Sequence, residues 1–119
     1  MTAENIPPGI TAVQSFDVSN SLVNNRKVCI VDSGYDINHP DLQSTDITGF
    51  QHSSTYPWGE DQDSHGTHVA GTIAAIGGNG IGVAGVVRNG GLQLQIVRVF
   101  GINGQSWIWA SGLVDSVSL

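Results

Sequence analysis

Two histidines and two aspartates lie within one stretch of twelve residues, Asp61-Gln62-Asp63-Ser64-His65-Gly66-Thr67-His68-Val69-Ala70-Gly71-Thr72. An imidazole titrates near neutral pH, so it can accept a proton and return it. A carboxylate bonded to the ring fixes its tautomer and stabilises the imidazolium. Asp32, which ends the run Val28-Cys29-Ile30-Val31, can play that part. Asp32 and His65 are therefore the candidate catalytic pair. The plain alternative is an aspartate making a turn bond at a strand end and a histidine capping a helix. The neighbours weigh against it. Val31-Asp32-Ser33-Gly34, then a loop, then Ser64-His65-Gly66-Thr67-His68-Val69-Ala70-Gly71-Thr72 is long, ordered and hard to obtain by chance. His65 and His68 also raise zinc. The zinc-peptidase pattern, however, sets its histidines four apart with a Glu between, and neither condition holds here.

The elements that must position this pair can be read locally. Lys27 to Asp32 reads as a strand buried on both faces, as in a parallel sheet. Ligands of open α/β sheets bind beyond the carboxyl ends of strands, where Asp32 stands. Ser64 is the expected helix cap, with Asp61 and Asp63 at the positive end of the dipole. Val69, Thr72, Ile73 and Ile76 recur at helical steps and predict the buried face. Gly66 and Gly71 each cost a helix about 1 kcal/mol against Ala, so they imply close packing on other backbone. A short helix within Ile10–Val18, a strand at Asp46–Gln51, a surface loop over His52–Gln62, a strand at Leu92–Phe100 and the start of a helix at Trp107 complete the expectation.

The two motifs resemble those of the subtilisin-like serine proteases (subtilases, peptidase S8), and the resemblance runs from about Ile6 to about Phe100. It implies an α/β, three-layer fold with a mainly parallel sheet. It also implies a serine endopeptidase acting on protein or peptide substrates through an Asp-His-Ser triad, with Asp32 orienting, His65 as base and His68 as a buried structural histidine. In the family the nucleophile sits in a Gly-Thr-Ser-Met-Ala-type motif. No serine of this sequence follows Gly-Thr, and the family's oxyanion asparagine is not identifiable. Oxyanion stabilisation is usually the largest catalytic term. The expectation is thus the N-terminal portion of a single catalytic domain over 1–119, incomplete before the serine motif and inactive alone. The competing expectation is a short, non-catalytic calcium- or peptide-binding module.

The resemblance further implies a structural calcium ion. Its ligands would be the carboxylates of Glu4 and Asp41, the Asn79 side chain and the carbonyls of Ile76, Ile81 and Val83. Calcium favours such hard oxygen donors; the alternative is a glycine-rich helix end beside two solvated acids. Substrate would add as a β-strand near Phe100 and Gly104, with Phe100 and Trp107 lining apolar pockets or packing in the core. Secretion, a removable pro-segment and a monomeric state are implied in the same way.

Composition bounds the partners. Ten acidic residues against four basic ones leave no basic patch for nucleic acid or for a charged membrane surface. No apolar run approaches the roughly 20 residues of a membrane span, and the N-terminus lacks the basic start and apolar core of a signal peptide. The single cysteine, Cys29, admits no internal disulfide and is expected to be a small buried hydrophobe.

Overall fold

The apolar run Lys27–Asp32 forms β1, followed by β2 at Ile47–Gln51 and β3 at Gln93–Arg98, in a computed structural model that describes residues 3–42, 46–52 and 55–101. All pairings are parallel, in the order β1-β3-β2. The register sets Asp32 beside Arg98, and Gln51 beside the same Arg98. Parallel neighbours need crossover connections. The one from β2 to β3 carries helix α2, His65–Ala74.

The central strand explains the burial pattern. Leu94 through Val99 are all buried, since β3 has a neighbour on each side and cover on each face. Strand β1, paired with β3 alone among the described residues, divides its side chains between two faces. Val28 and Ile30 join the main core with Leu94, Ile96, Ala70 and Ala74, while Val31 packs with Val97 and Val99 on the opposite face. Cys29 shares that opposite face and is exposed, contrary to the sequence expectation. An apolar run alone does not show which of its side chains the neighbouring elements cover.

Helix α2 buries its small side. Gly66, Ala70 and Ala74, four apart, are buried; Val69 and Ile73 are half-buried and Thr72 is exposed. The larger residues were expected to mark the buried face. Ala70 and Ala74 pack into the core, and at both ends the helix approaches other backbone closely. An ideal Cβ on Gly66 would lie 2.2 Å from the Gly34 carbonyl oxygen, and one on Gly85 would lie 2.8 Å from the Gly71 oxygen. Trp58 covers β2 by lying over Gly49, where a Cβ would come within 1.9 Å of the indole.

The N-terminal helix α1 is shorter and earlier than expected, Pro8–Ala12, with Pro at its first turn. Gln14, in the left-handed region at φ 59°, separates it from a 3₁₀ turn at Ser15–Asp17. A second 3₁₀ turn, Pro40–Leu42, is fixed by Tyr35, whose buried hydroxyl donates to the Leu42 carbonyl at 2.6 Å. Burial, with Asp36 nearby, pushes that phenol up to about 12. The helix expected from Trp107 lies outside the described residues.

Candidate active site

The carboxyl end of β1 and the first turn of α2 meet at Asp32 and His65. His65 Nδ1 lies 2.8 Å from Asp32 Oδ1 and 3.1 Å from Oδ2. An ionised carboxylate only accepts, so Nδ1 carries the proton and Nε2 is left as the basic nitrogen. Asp32 Oδ1 also accepts the Ser33 N–H at 2.7 Å. The Asp32 side chain is 14% exposed and that of His65 67%. The hydrogen bond from His65 to Asp32, then the Asp32 charge, raise the imidazole above its ordinary value, with smaller contributions from Asp63 and Asp61.

The helix start is capped by a residue other than the expected one. Ser64 has φ 66° and makes no side-chain cap bond. Asp61 caps in its place: Oδ1 accepts the Ser64 N–H at 3.0 Å, and Oδ2 accepts the Thr67 N–H at 2.8 Å and the Thr67 hydroxyl. Burial opposes ionisation of Asp61, but these bonds and one from Ser33 outweigh it and hold the carboxyl below its usual range. Ser33 is the bridge. Its hydroxyl donates to Asp61 Oδ1 at 2.8 Å and accepts the Gly66 N–H at 2.9 Å.

Arg98 braces the loop that delivers Asp61. It is 1% exposed and its guanidinium donates to four carbonyls among the described residues: Phe100 at 3.1 Å, Gly101 at 3.0 Å, Glu60 at 2.6 Å and Pro57 at 3.5 Å. Burial lowers its guanidinium from the ordinary value, partly offset by Asp61 and Glu60. Gly34, at φ 117°, brings the backbone close beneath this loop; a Cβ there would lie 2.2 Å from the Glu60 oxygen.

This arrangement holds an imidazole by Nδ1 on a carboxylate at a strand end, which leaves Nε2 to exchange a proton with a hydroxyl. The Subtilase family model matches residues 24–117. The chain belongs to the subtilase family. It is 39% identical over 109 residues to a subtilisin of Bacillus pumilus, covering 89% of this chain and 39% of that protein. It is also 39% identical over 107 residues to the major intracellular serine protease of Bacillus subtilis (strain 168), covering 85% of this chain and 33% of that one. The crystal structure of the psychrophilic subtilisin-like protease Apa1 from the Antarctic psychrotroph Pseudoalteromonas sp. AS-11 superposes with a TM-score of 0.85 at 44% identity, over 98% of this chain and 26% of that one. This subtilase chain thus spans well under half the length of these relatives, and its α/β fold with a parallel sheet is part of theirs.

The other anticipated residues fall into two groups in this subtilase. Glu4, Asp41 and the loop 76–83 do converge. Glu4 accepts the N–H groups of Gly78 (2.8 Å) and Asn79 (3.3 Å). Asp41, 3% exposed, accepts Asn79 Nδ2 and the Val83 N–H, both at 2.8 Å, and its carbonyl accepts the Ile76 N–H at 3.0 Å. Ile81 donates its N–H to Asn79 Oδ1 at 3.2 Å. The donor types suit a hard cation; Asn79 turns its nitrogen toward Asp41 and its oxygen toward the Ile81 N–H. Among the described residues no three His, Cys, Asp or Glu side chains cluster as metal ligands; any such site depends on amide and carbonyl oxygens. Of the substrate residues, Phe100 is half-buried against Val97 and Val99, and Gly104 and Trp107 lie outside the described residues. His68, expected to be buried, is exposed and lines a cleft of about 690 Å³ with Ile10, Leu42 and Ala84. It stands off the Gly66-Ala70-Ala74 line that faces the sheet.

Sequence reasoning missed the roles of Ser33, Asp61 and Arg98. Asp61 was legible as a charge three residues before Ser64, but the serine adjoining the helical run was the more obvious cap.

Proposed function

We propose that this chain carries the acid–base half of a serine endopeptidase. The observation behind this reading is the 2.8 Å contact from His65 Nδ1 to Asp32 Oδ1. In the proposed reaction a serine hydroxyl, from sequence outside these 119 residues, attacks a peptide carbonyl while His65 Nε2 takes its proton. The carbon–nitrogen bond then breaks as His65 returns the proton to the leaving amine. Water, activated by the same nitrogen, releases the acyl group. Asp32 holds the ring and stabilises its charged form throughout. The 119 residues alone are proposed to lack turnover, since they contain no Gly-Thr-Ser motif.

Protein or peptide chains are the proposed substrates, entering as an added strand beside Phe100 and Gly104, near Trp107. An extracellular monomer matured from a pro-segment is the accompanying proposal; the relative named as intracellular marks the alternative compartment. Glu4, Asp41, Asn79 and the carbonyls of Ile76, Ile81 and Val83 are proposed to hold a calcium ion that would tie the N-terminal segment at Glu4 to the loop 76–83. That convergence also favours a second reading, a calcium- or peptide-binding module without catalysis.

A serine-directed phosphonate probe separates the two readings. The full-length gene product should be labelled at a single serine, and His65→Ala should lose the labelling. A full-length product that the probe never labels would favour the binding module.

A further inference from the structure

We propose that Asp61 is a positioning residue for His65: its carboxylate and the Ser33 hydroxyl tie the first turn of α2 to the end of β1, and this tie sets the His65–Asp32 hydrogen bond. The inference rests on the reading of His65 as the base.

His65 is not fixed by side-chain packing. Its side chain is 67% exposed. The hydrogen bonds that its ring makes are to Asp32. Its direction must therefore come from the backbone of the helix start. That backbone has two outside anchors. The Gly66 N–H is held by Ser33 Oγ, and the Thr67 N–H by Asp61 Oδ2. These donors flank His65 on its C-terminal side, and Asp61 holds the Ser64 N–H on the other.

Both anchors meet in one bond. Ser33, 3% exposed, donates its hydroxyl to Asp61, and its own N–H is on Asp32 Oδ1, the oxygen that His65 uses. A single chain of hydrogen bonds thus runs from Asp32 through Ser33 to Asp61 and back into the helix beside His65. The Thr67 hydroxyl extends it by donating to Asp61 and accepting the Asp36 N–H at 3.0 Å. Losing either member frees N–H groups of the first turn, which then have no helical partner.

Charge and tether must be separated in the test. The charged groups acting at this corner are Asp32 from β1, Asp61 and Asp63 from the loop, and Arg98 of β3, which senses Asp61 and Glu60. Asp61→Asn removes charge and weakens the tether. Asp63→Asn removes the same charge and no tether. Ser33→Ala removes the tether and no charge.

The experiment is a histidine NMR titration of the full chain, with the downfield Nδ1 proton of His65 read alongside, in these three variants and Asp32→Asn. The expected result is that Asp61→Asn and Ser33→Ala each lower the His65 pKa by at least about half of the Asp32→Asn drop and weaken the downfield proton, while Asp63→Asn leaves that proton in place. The proposal is overturned if Asp61→Asn and Ser33→Ala shift His65 no more than Asp63→Asn with the downfield proton intact. Ser33→Ala decides alone should Asp61→Asn fail to fold. Failure of the underlying reading is seen elsewhere, as peptide hydrolysis by the full-length product surviving His65→Ala.

Discussion

Gly66 sits directly on Gly34: a side chain at position 66 would begin 2.2 Å from the Gly34 carbonyl oxygen and 3.2 Å from Asp32 Cβ. The helix that carries His65 therefore approaches the strand that carries Asp32 at backbone distance. Gly66→Ala should force the two apart and destabilise the fold by about 1–3 kcal/mol, the usual range for overpacking. Denaturant titration reads the loss, and the His65 Nδ1 proton signal should weaken with it.

The pH dependence follows from two groups shifted in opposite directions. His65 is raised in the folded state, so its contribution to stability is complete below its ordinary value of 6.5 and fades as pH rises through the folded value. Asp61 is lowered, so its contribution is present above its ordinary value of 3.8 and is lost as pH falls through the folded one. Denaturation midpoints across pH should show the acid-side loss reduced in Asp61→Asn and the neutral-side decline reduced in His65→Gln.

Arg98 fastens the loop 57–60 to residues 100–101 through carbonyls that have it as their buried donor. Lysine has a compact head and cannot span the same acceptors as a planar guanidinium. Arg98→Lys should cost about 1–3 kcal/mol, the penalty for leaving a buried polar group unsatisfied. Thermal denaturation measures it, and heightened proteolysis at the 57–60 loop should accompany it.

Calcium should stabilise the chain through the loop 76–83. At about a hundred times its Kd the gain is about 2.7 kcal/mol, visible as a rise in Tm that a chelator reverses. Asp41→Asn should abolish the rise, because Asp41 is the buried carboxylate of the set. Gly82→Ala should do the same: position 82 has φ 59°, and a Cβ there would strike Asp41 Oδ2. A Tm unmoved by calcium in the parent chain would count against the ion.

Much of this was legible in the sequence. β1 falls on Lys27–Asp32 as its apolar run indicates, and the Ser-His-Gly-Thr-His motif opens a helix with His65 in its first turn. The burial details were not legible, because they depend on partners distant in sequence. Cys29 looked buried, yet it lies on the face of β1 opposite the main core and is exposed. The buried side of α2 looked apolar by residue type, whereas Gly66, Ala70 and Ala74 are the residues buried, with Gly66 against the Gly34 backbone. Ser64 looked like the cap, yet Asp61 is the residue that Ser33 reaches from across the site. Arg98 carried no local signal, since its carbonyl partners lie outside the named helices and strands.

The most direct test of the Asp32–His65 assignment is peptide hydrolysis by the full-length gene product carrying His65→Ala, with folding checked by circular dichroism. The account predicts that kcat falls at least about 100-fold, the lower range for loss of a general acid–base, while the fold is retained. A folded His65→Ala protein that cleaves peptides within a few-fold of the parent rate would contradict it.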